Sequence, residues 1–346
     1  MRKTITLLVA VLLLAALPWP PGPVIGAEED SFTLAVLRRD GIILPFAYYD
    51  ARRGGLLERG GRWLNPWPVA GKEFEIPLQL SDVPKGWWPR DREITAWTAW
   101  PLQGARSEIQ VRRPEAVVAQ CQLGLGLRTS YQPAEPAPPE AVQPYPKDGL
   151  ATSGSITVER PVLLDPSSPE WKAVAEAVER EVTDLEEGVL KNAAFALWKY
   201  GTERFAHPAS RRDREAAPFT PETIVRVTPQ ALYFEGVKNY PPLTALVTRG
   251  DTQVPNRCGL LTYAAGWVLI AKDGKPKVQG SAEVTDCNRE GMVYSLPLGL
   301  IPRDGAVLSV VQVSGWGYER YEVLEVRGDR VKSVFAVPGG WCREGM

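Results

Sequence analysis

LSVVQVSGWGYERYEVLEVRGDRVKSVFAV, residues 308–337, is the stretch that predicts the fold of this chain most directly. Apolar and β-branched residues dominate three runs separated by turn-forming residues, a pattern typical of antiparallel strands. The runs are residues 308–313, 318–326 and 330–337. A two-residue loop at Gly328-Asp329 places Val326 opposite Val331 and Val323 opposite Val334, a favourable apolar pairing. The C-terminal part of the chain is therefore predicted to form an antiparallel meander.

One amphipathic helix and a hairpin are predicted before the meander. Ser168 suits the N-cap of the helix, Pro169 its first turn, and Gly188 its end. A single apolar stripe with spacings of three and four residues runs along it, formed by Trp171, Val174, Val178, Val182 and Leu185. Strands at 260–271 and 277–286 flank Lys272-Asp273-Gly274. Since such a stripe packs against an apolar surface, we expect the helix to lie on a sheet.

The N-terminal half of the sequence predicts strands alone. Apolar runs at 34–39 and 42–49 flank Asp40-Gly41, which is a strong hairpin signal. Pro45 cannot donate a hydrogen bond, so the second strand is expected to lie at an edge or to contain a bulge. Further predicted strands are residues 74–80, 93–100, 107–112 and 116–125.

A proline-rich segment separates the two halves. Residues 132–148, QPAEPAPPEAVQPYPKD, contain six prolines and favour an extended linker. We therefore predict a mainly β protein of two domains built from short antiparallel strands and hairpins, the second domain being α+β with the helix packed on a sheet. The predicted parts are a signal peptide at 1–27, an N-terminal β domain at 30–131, a Pro-rich linker at 132–150 and a C-terminal α+β domain at 155–346.

The first 27 residues, MRKTITLLVAVLLLAALPWPPGPVIGA, have the pattern of a secretory signal peptide. A basic start precedes an apolar run that ends at Pro18, shorter than the roughly 20 residues of a membrane-spanning helix. An uncleaved signal anchor is the alternative. We expect a secreted or periplasmic protein with no membrane span after signal removal.

Composition excludes several kinds of chemistry. The formal net charge is −1, so no general attraction to nucleic acid is expected. His207 is the only histidine, which rules out zinc sites with two or three histidines. The sequence contains no HExxH, GxSxG or P-loop motif. No catalytic residue, metal site or cofactor is therefore assigned.

Carboxylates are the remaining catalytic candidates, since glycoside hydrolases need only two acids across a cleft. The chain has 41 acidic residues and no feature that selects a pair. Glu319 and Glu325 share one face of a predicted strand and Glu322 the other, which is equally typical of an exposed sheet face. A carboxylate-dependent glycan hydrolase is thus the alternative to a non-catalytic protein.

Tryptophans suggest a binding surface instead. The candidates are Trp87 and Trp88 in KGWWPRD and Trp63 and Trp67 in RWLNPWP. Exposed indoles can stack on sugar rings or on proline-rich partners, whereas buried indoles fill cores. Trp87 and Trp88 are expected to be exposed because two adjacent side chains rarely both point inward. The leading hypothesis is a non-catalytic exported protein that binds an envelope or extracellular partner, either a protein or a glycan.

The four cysteines favour disulfides in an exported chain. Cys258 and Cys287 bracket the predicted hairpin. A four-residue loop at 271–274 puts them directly opposite each other, while a two-residue loop offsets them by two positions on the same face. Cys121 and Cys342 are left as a second pair that joins the two domains. Four unpaired thiols are the alternative.

Overall fold

The computed structural model describes residues 31–53, 61–200, 219–239, 245–249, 252–256, 261–271, 273–285, 293–303, 305–315 and 317–342. Eighteen strands and one helix lie in this part of the chain, and its sheets are antiparallel. The predicted mainly β class, with a helix packed on a sheet, is confirmed. The predicted signal peptide at 1–27 lies outside the described residues.

The first sheet closes on itself. Its strands are β1 (Phe32–Arg38), β2 (Ile42–Asp50), β3 (Arg62–Leu64), β4 (Ala96–Pro101), β5 (Ser107–Ala119), β6 (Gln122–Thr129) and β7 (Lys147–Ser153). The order is β1-β7-β4-β5-β6-β2, and an additional pairing of β1 with β2 closes a barrel-like ring of six strands, to which β3 adds at β2. The irregularity predicted at Pro45 is present. Leu34 pairs with Ala47, whereas the next residue, Ala35, pairs with Pro45, so β2 contains one extra residue at this point.

Side chains from all six strands of the ring fill its interior. They are Ala35, Leu37, Ile43, Trp97, Ala99, Ile109, Val111, Leu127 and Ala151. Val83 and Trp88 join this cluster from the connection between β3 and β4. That connection holds 3-10 helices at Leu80–Asp82, Lys85–Trp87 and Pro89–Asp91, and another follows β2 at Ala51–Arg53. Each large apolar side chain buried here contributes about 1.5–3 kcal/mol to folding.

The second sheet carries the helix. Its strands are β8 (Val162–Leu163), β9 (Thr220–Thr228), β10 (Ala231–Asn239), β13 (Leu261–Ile270) and β14 (Pro276–Thr285), and they lie in the order β14-β13-β10-β9-β8. A separate two-stranded sheet is formed by β11 (Ala245–Arg249) and β12 (Thr252–Asn256). Helix α1 (Pro169–Tyr200) begins where predicted, since the backbone N–H of Trp171 donates to Ser168 Oγ at 3.1 Å. Its predicted stripe packs on Phe234 and Leu232.

The C-terminal meander forms as predicted. It comprises β15 (Tyr294–Arg303), β16 (Ala306–Gly315), β17 (Tyr318–Arg327) and β18 (Arg330–Trp341). Val326 lies opposite Val331. Val323 faces Phe335 rather than the predicted Val334, because a register shift between Val323 and Leu324 inserts an extra residue into β18.

The meander packs on the outside of the ring, and the two sheets share one core. Phe32, Leu34, Val36, Leu44 and Leu150 of the ring contact Leu298, Leu308, Val310, Tyr321, Val323 and Val337 of the meander. A smaller cluster joins the meander to the second sheet and contains Val227, Ala231, Leu269, Leu300 and Val326. The C-terminal strands therefore contribute to the core of the N-terminal half.

The predicted linker ends inside the first sheet. Residues 132–146 contain neither helix nor strand, and β7 begins at Lys147 and pairs with β1 and β4. Tyr145 is 3% exposed and lies 4.0 Å from the guanidinium carbon of Arg38. The segment is thus anchored to the ring at its end. The division into two domains at 30–131 and 155–346 stays a prediction.

Three local predictions are wrong. Residues 74–80 form no strand up to the 3-10 helix at Leu80, because Pro77 interrupts the backbone donors of an apolar run. Residues 116–125 are a hairpin and not one strand, since the chain turns at Gln120-Cys121, where Gln120 has a φ of 55°. Helix α1 continues past Gly188 to Tyr200, because the good helix formers that follow tolerate one interior glycine.

Within the described residues, no helix is both long enough and apolar enough to cross a membrane.

Candidate functional site

The four candidate tryptophans are distributed over three packed clusters. Trp88 is 4% exposed and contributes to the core of the ring. Trp67, also 4% exposed, belongs to a second cluster, against which Trp87 packs. Trp63 is half-buried, with its ring 5.1 Å from that of Tyr49. The structure does not bring these indoles together as one open patch.

The exposure expected of Trp87 and Trp88 is wrong for Trp88. Trp88 belongs to the core of the ring, and Trp87 packs against both that core and the cluster that contains Trp67. Trp87 is half-buried and meets Phe74 edge-on, with ring centroids 5.7 Å apart. Two adjacent indoles are therefore both packed here.

An open groove of 620 Å³ lies between the irregular segment 71–76 and the start of β6. Phe74 and Ile76 line one wall, and Leu123 lines the other. Leu123 is 58% exposed, and nearby in sequence Leu78 is 83% exposed. An exposed aliphatic side chain at a concave surface is available to contact a partner, and of these two leucines only Leu123 lines the groove. Three exposed charged residues, Lys72, Glu73 and Glu75, also line the groove.

Gly71 sets the position of the segment that covers β6. Its N–H donates to the carbonyl oxygen of Leu123 at 3.3 Å, and its φ is 82°. A Cβ at this position would collide with the side-chain amide of Gln122. Only glycine therefore allows this close approach and this backbone conformation together.

Among the described residues, one side of β6 has no strand partner along the groove. On its other side, β6 pairs with β5 from Gln122 to Thr129, but β2 reaches only Leu127 and Arg128. In the described chain, the bond from Gly71 to Leu123 is the sole backbone hydrogen bond between residues 122–126 and the covering segment. Gly124, Leu125 and Gly126 are buried in this stretch, so the part of the edge that an extended polypeptide could join is at Gln122 and Leu123.

A disulfide lies next in sequence to the groove residue Gln122. Cys121, in the turn before β6, is bonded to Cys342, with the Cα atoms 4.8 Å apart. The N–H of Trp341 donates to Gln122 Oε1 at 3.3 Å. The end of β18 is thus attached to the β5–β6 hairpin, as the second cysteine pairing predicted. Cys258 and Cys287 lie outside the described residues, as does His207, so their roles stay predictions.

A second, smaller cavity of 170 Å³ lies on the ring beside the meander. Trp100, at the end of β4, lines it together with two arginines, Arg106 and Arg160. Val158 and Leu298 are buried apolar residues behind its wall. Trp100 is an indole that the sequence analysis did not select, because nothing in its sequence neighbourhood distinguishes it from the core residue Trp97.

One glutamate combines burial with tyrosine partners. Tyr233 and Tyr263 donate from their hydroxyl groups to Glu235 Oε2 at 3.2 and 3.3 Å. Burial raises the pKa of Glu235 above its usual value. Burial likewise raises the pKa of Glu283, which shares this face of the second sheet. Among the described residues, no three histidine, cysteine, aspartate or glutamate side chains are placed to hold a metal ion.

Glu319, one of the three strand glutamates, is buried and not on an exposed face. Lys147 Nζ lies 3.1 Å from its carboxylate and donates to the Tyr145 carbonyl oxygen at 2.6 Å. Gln312 Nε2 and the Tyr321 hydroxyl also donate to Glu319. Burial lowers the pKa of Lys147. Because the carboxylate oxygens of Glu319 are occupied by these donors and neither of the two cavities above includes it, we interpret this cluster as structural.

Comparisons with protein-family models, with curated proteins and with solved structures give no match for this chain. The geometry of its own residues therefore carries the functional argument.

Proposed function

We propose that this chain is an exported, non-catalytic protein that binds an extended apolar segment of an envelope or extracellular protein partner in the groove beside β6. The observation that carries the proposal is the unpartnered edge of β6 next to the apolar walls of the groove. Phe74 and Ile76 line one wall and Leu123 the other, four residues before Leu127, where β6 begins to pair with β2.

A polypeptide fits this groove better than a glycan does. A strand added at a sheet edge gains backbone hydrogen bonds, and its alternate side chains gain specificity from apolar pockets. Sugar binding relies on flat, exposed aromatic faces, whereas Trp88 and Trp67 are packed in cores. Aliphatic Leu123 and Ile76 offer no such face.

Export is supported by two independent features. The first 27 residues have the pattern of a signal peptide. The bond between Cys121 and Cys342 is of a kind that persists in oxidising compartments. We therefore propose a secreted or periplasmic location, which can be tested by determining the N-terminal residue of the protein recovered outside the cytoplasm.

Selection from a phage-displayed library of random peptides tests the binding function. The mature protein is expected to enrich peptides with alternating apolar residues, and a synthetic copy is expected to bind in solution. Leu123→Lys places a charge on the groove wall and is expected to abolish this binding. Leu163→Lys is the matched control, because Leu163 is 69% exposed on a strand that does not line the groove.

The proposal predicts binding by wild type and by the Leu163→Lys variant, and none by the Leu123→Lys variant. Failure to enrich any peptide contradicts it. Equal loss of binding in both variants contradicts it as well, because the effect then does not come from the groove.

Hydrolysis of a glycan by carboxylates is the second candidate function, and the Glu235 site favours it. A general acid needs a raised pKa, which burial gives Glu235, whereas Glu283 on the same face is exposed. The two residues are two strand spacings and two residues along the strand apart, which places their Cα atoms about 12 Å from each other. Release of reducing sugar from peptidoglycan or an acidic polysaccharide, lost in Glu235→Gln, would establish this activity. No release by wild type would exclude it for those substrates.

A further inference from the structure

The 170 Å³ cavity beside the meander combines one indole with two cations. Trp100 is half-buried, and its Nε1–H donates to Thr152 Oγ1 at 2.9 Å. This hydrogen bond fixes the plane of the ring, since the indole has only two rotatable bonds. The guanidinium carbon of Arg106 lies 5.5 Å from the ring centroid. A positive charge therefore stands beside a fixed aromatic face.

Both arginines have unused binding capacity. Arg106 and Arg160 are exposed, and no carboxylate of the described chain lies within 4.0 Å of either guanidinium. Arg160 Nε donates to the carbonyl oxygen of Pro101 at 3.2 Å, which holds its side chain against the cavity. A guanidinium has five N–H donors, so the remaining N–H groups of each arginine can donate hydrogen bonds to a planar anion.

The charge at the cavity favours one anionic group. Among the described residues that line it, Glu159 is the one acidic side chain, against two arginines. The Glu159 backbone exchanges hydrogen bonds with Leu300, at 2.7 and 2.9 Å, so this wall is tied to β15. One positive charge is left after Glu159 is balanced. The cavity is thus suited to a single negative charge.

The size and the apolar surface define the rest of the ligand. A volume of 170 Å³ corresponds to about six water molecules at about 30 Å³ each, which is room for about one sugar ring. Trp100 provides the apolar contact for the carbon-bound face of such a ring, while Val158 and Leu298 are buried behind the cavity wall. The arginines would meet a carboxylate at its edge through paired N–H···O bonds.

We propose that this cavity binds one uronic acid unit, with its carboxylate on Arg106 and Arg160 and its ring against Trp100. The site is separate from the groove and independent of the peptide-binding function. A protein with both sites could contact an acidic polysaccharide and a polypeptide at once.

Titration of the mature protein with D-glucuronate, followed by NMR and calorimetry, tests the proposal. The indole N–H signal of Trp100, assigned by its loss in Trp100→Phe, is expected to shift. Affinity is expected to fall about tenfold for each of Arg106→Gln and Arg160→Gln, since each removes a charge-assisted contact. Arg112→Gln is the matched control, because Arg112 is an exposed strand arginine that does not line the cavity.

Two further sugars separate the contributions. D-Glucose keeps the ring without the carboxylate and is expected not to bind. D-Glucose 6-phosphate keeps the ring with a different anion and is expected to bind less tightly. Failure of glucuronate to bind overturns the proposal, and so does binding that Arg106→Gln and Arg160→Gln leave unchanged. Equal or tighter binding of the phosphate overturns the carboxylate assignment.

Discussion

Replacing Lys147 by methionine removes the cation from a buried contact between the ring and the meander. The Lys147 side chain is 2% exposed and the Glu319 side chain 3%, with 3.1 Å between their charged atoms. Lys147 belongs to β7, and Glu319 belongs to β17. The pair therefore joins two sheets whose strands are far apart in sequence.

The burial of this pair determines the size of the effect. Removing one member of a buried, hydrogen-bonded ion pair leaves an uncompensated charge and costs about 3–5 kcal/mol. Lys147→Met and Glu319→Met are each expected to lose that much. The double variant removes both members of the pair but leaves the Tyr145 carbonyl oxygen and the Gln312 and Tyr321 donors without this partner, at about 1–3 kcal/mol each. It is expected to be about 2 kcal/mol more stable than the sum of the single effects implies.

Urea unfolding of the four proteins, with linear extrapolation to water, measures this coupling. Arg320→Met is the control on the same strand, because the Arg320 side chain is 47% exposed in its pair with Glu322. That variant is expected to lose less than about 1 kcal/mol. The assignment of this pair as a stabilising contact between the sheets would be refuted by either of two results. One is that the losses in free energy of unfolding of Lys147→Met and Glu319→Met simply add, and the other is that each loss is as small as that of the control.

Three other predictions concern the covalent link, the proline-rich segment and Glu235. Replacing Cys121 and Cys342 by serine is expected to lower the free energy of unfolding in urea by about 2–5 kcal/mol, because the disulfide constrains the unfolded chain. An unchanged free energy of unfolding would contradict a stabilising role of this disulfide. Limited proteolysis is expected to cut first within 134–142, and the two fragments are expected to co-elute after reduction because the ring and meander share a core; separate elution would contradict the shared core. Burial raises the pKa of Glu235 in the folded protein above its value in the unfolded chain. Between these two pKa values the folded state binds more protons than the unfolded state does, so the free energy of unfolding falls as pH rises. Glu235→Gln is therefore expected to match wild type near about pH 4 and to exceed its stability increasingly toward about pH 7; a gain that is independent of pH would exclude this cause.

Local patterns predicted the parts of the fold that depend on local chemistry. The turn at Gly328-Asp329 fixed the pairing of Val326 with Val331, and the cap at Ser168 fixed the start of the helix. Beyond the bulge in β18, the predicted pairing of Val323 fails by one residue. A bulge shifts the alternation by one residue, but Val334 and Phe335 are both apolar, so the sequence fits either of them opposite Val323.

The hairpin between β13 and β14 illustrates the same limit. Ile270 pairs with Pro276, so the loop has five residues and the register lies one residue from both sequence alternatives. Lys272 and its neighbours allow loops of several lengths, and the strands on either side accept any register that keeps apolar residues inward. The predicted bond between Cys258 and Cys287 rested on those registers and stays untested.

The groove could not be predicted from the sequence because two distant segments form it. Residues 71–76 and 122–123 meet through the contact of Gly71 with Leu123, and neither segment alone indicates its partner. The apolar pattern of residues 74–80 predicted a buried strand, although most of these side chains line a groove or face solvent. Trp88 shows the reverse case, since a turn carries it into a core that its sequence context does not reveal.

Hydrogen exchange of the mature protein with and without a selected peptide is the most direct test of the proposed binding site. Slower exchange is expected in residues 71–76 and 122–124, because an added strand would cover the edge of β6 and its backbone N–H groups. Little change is expected at the Trp100 cavity. Protection that leaves 71–76 and 122–124 unchanged, or that appears only at residues 98–106 and 158–160, would contradict the assignment of the groove as the site of partner binding.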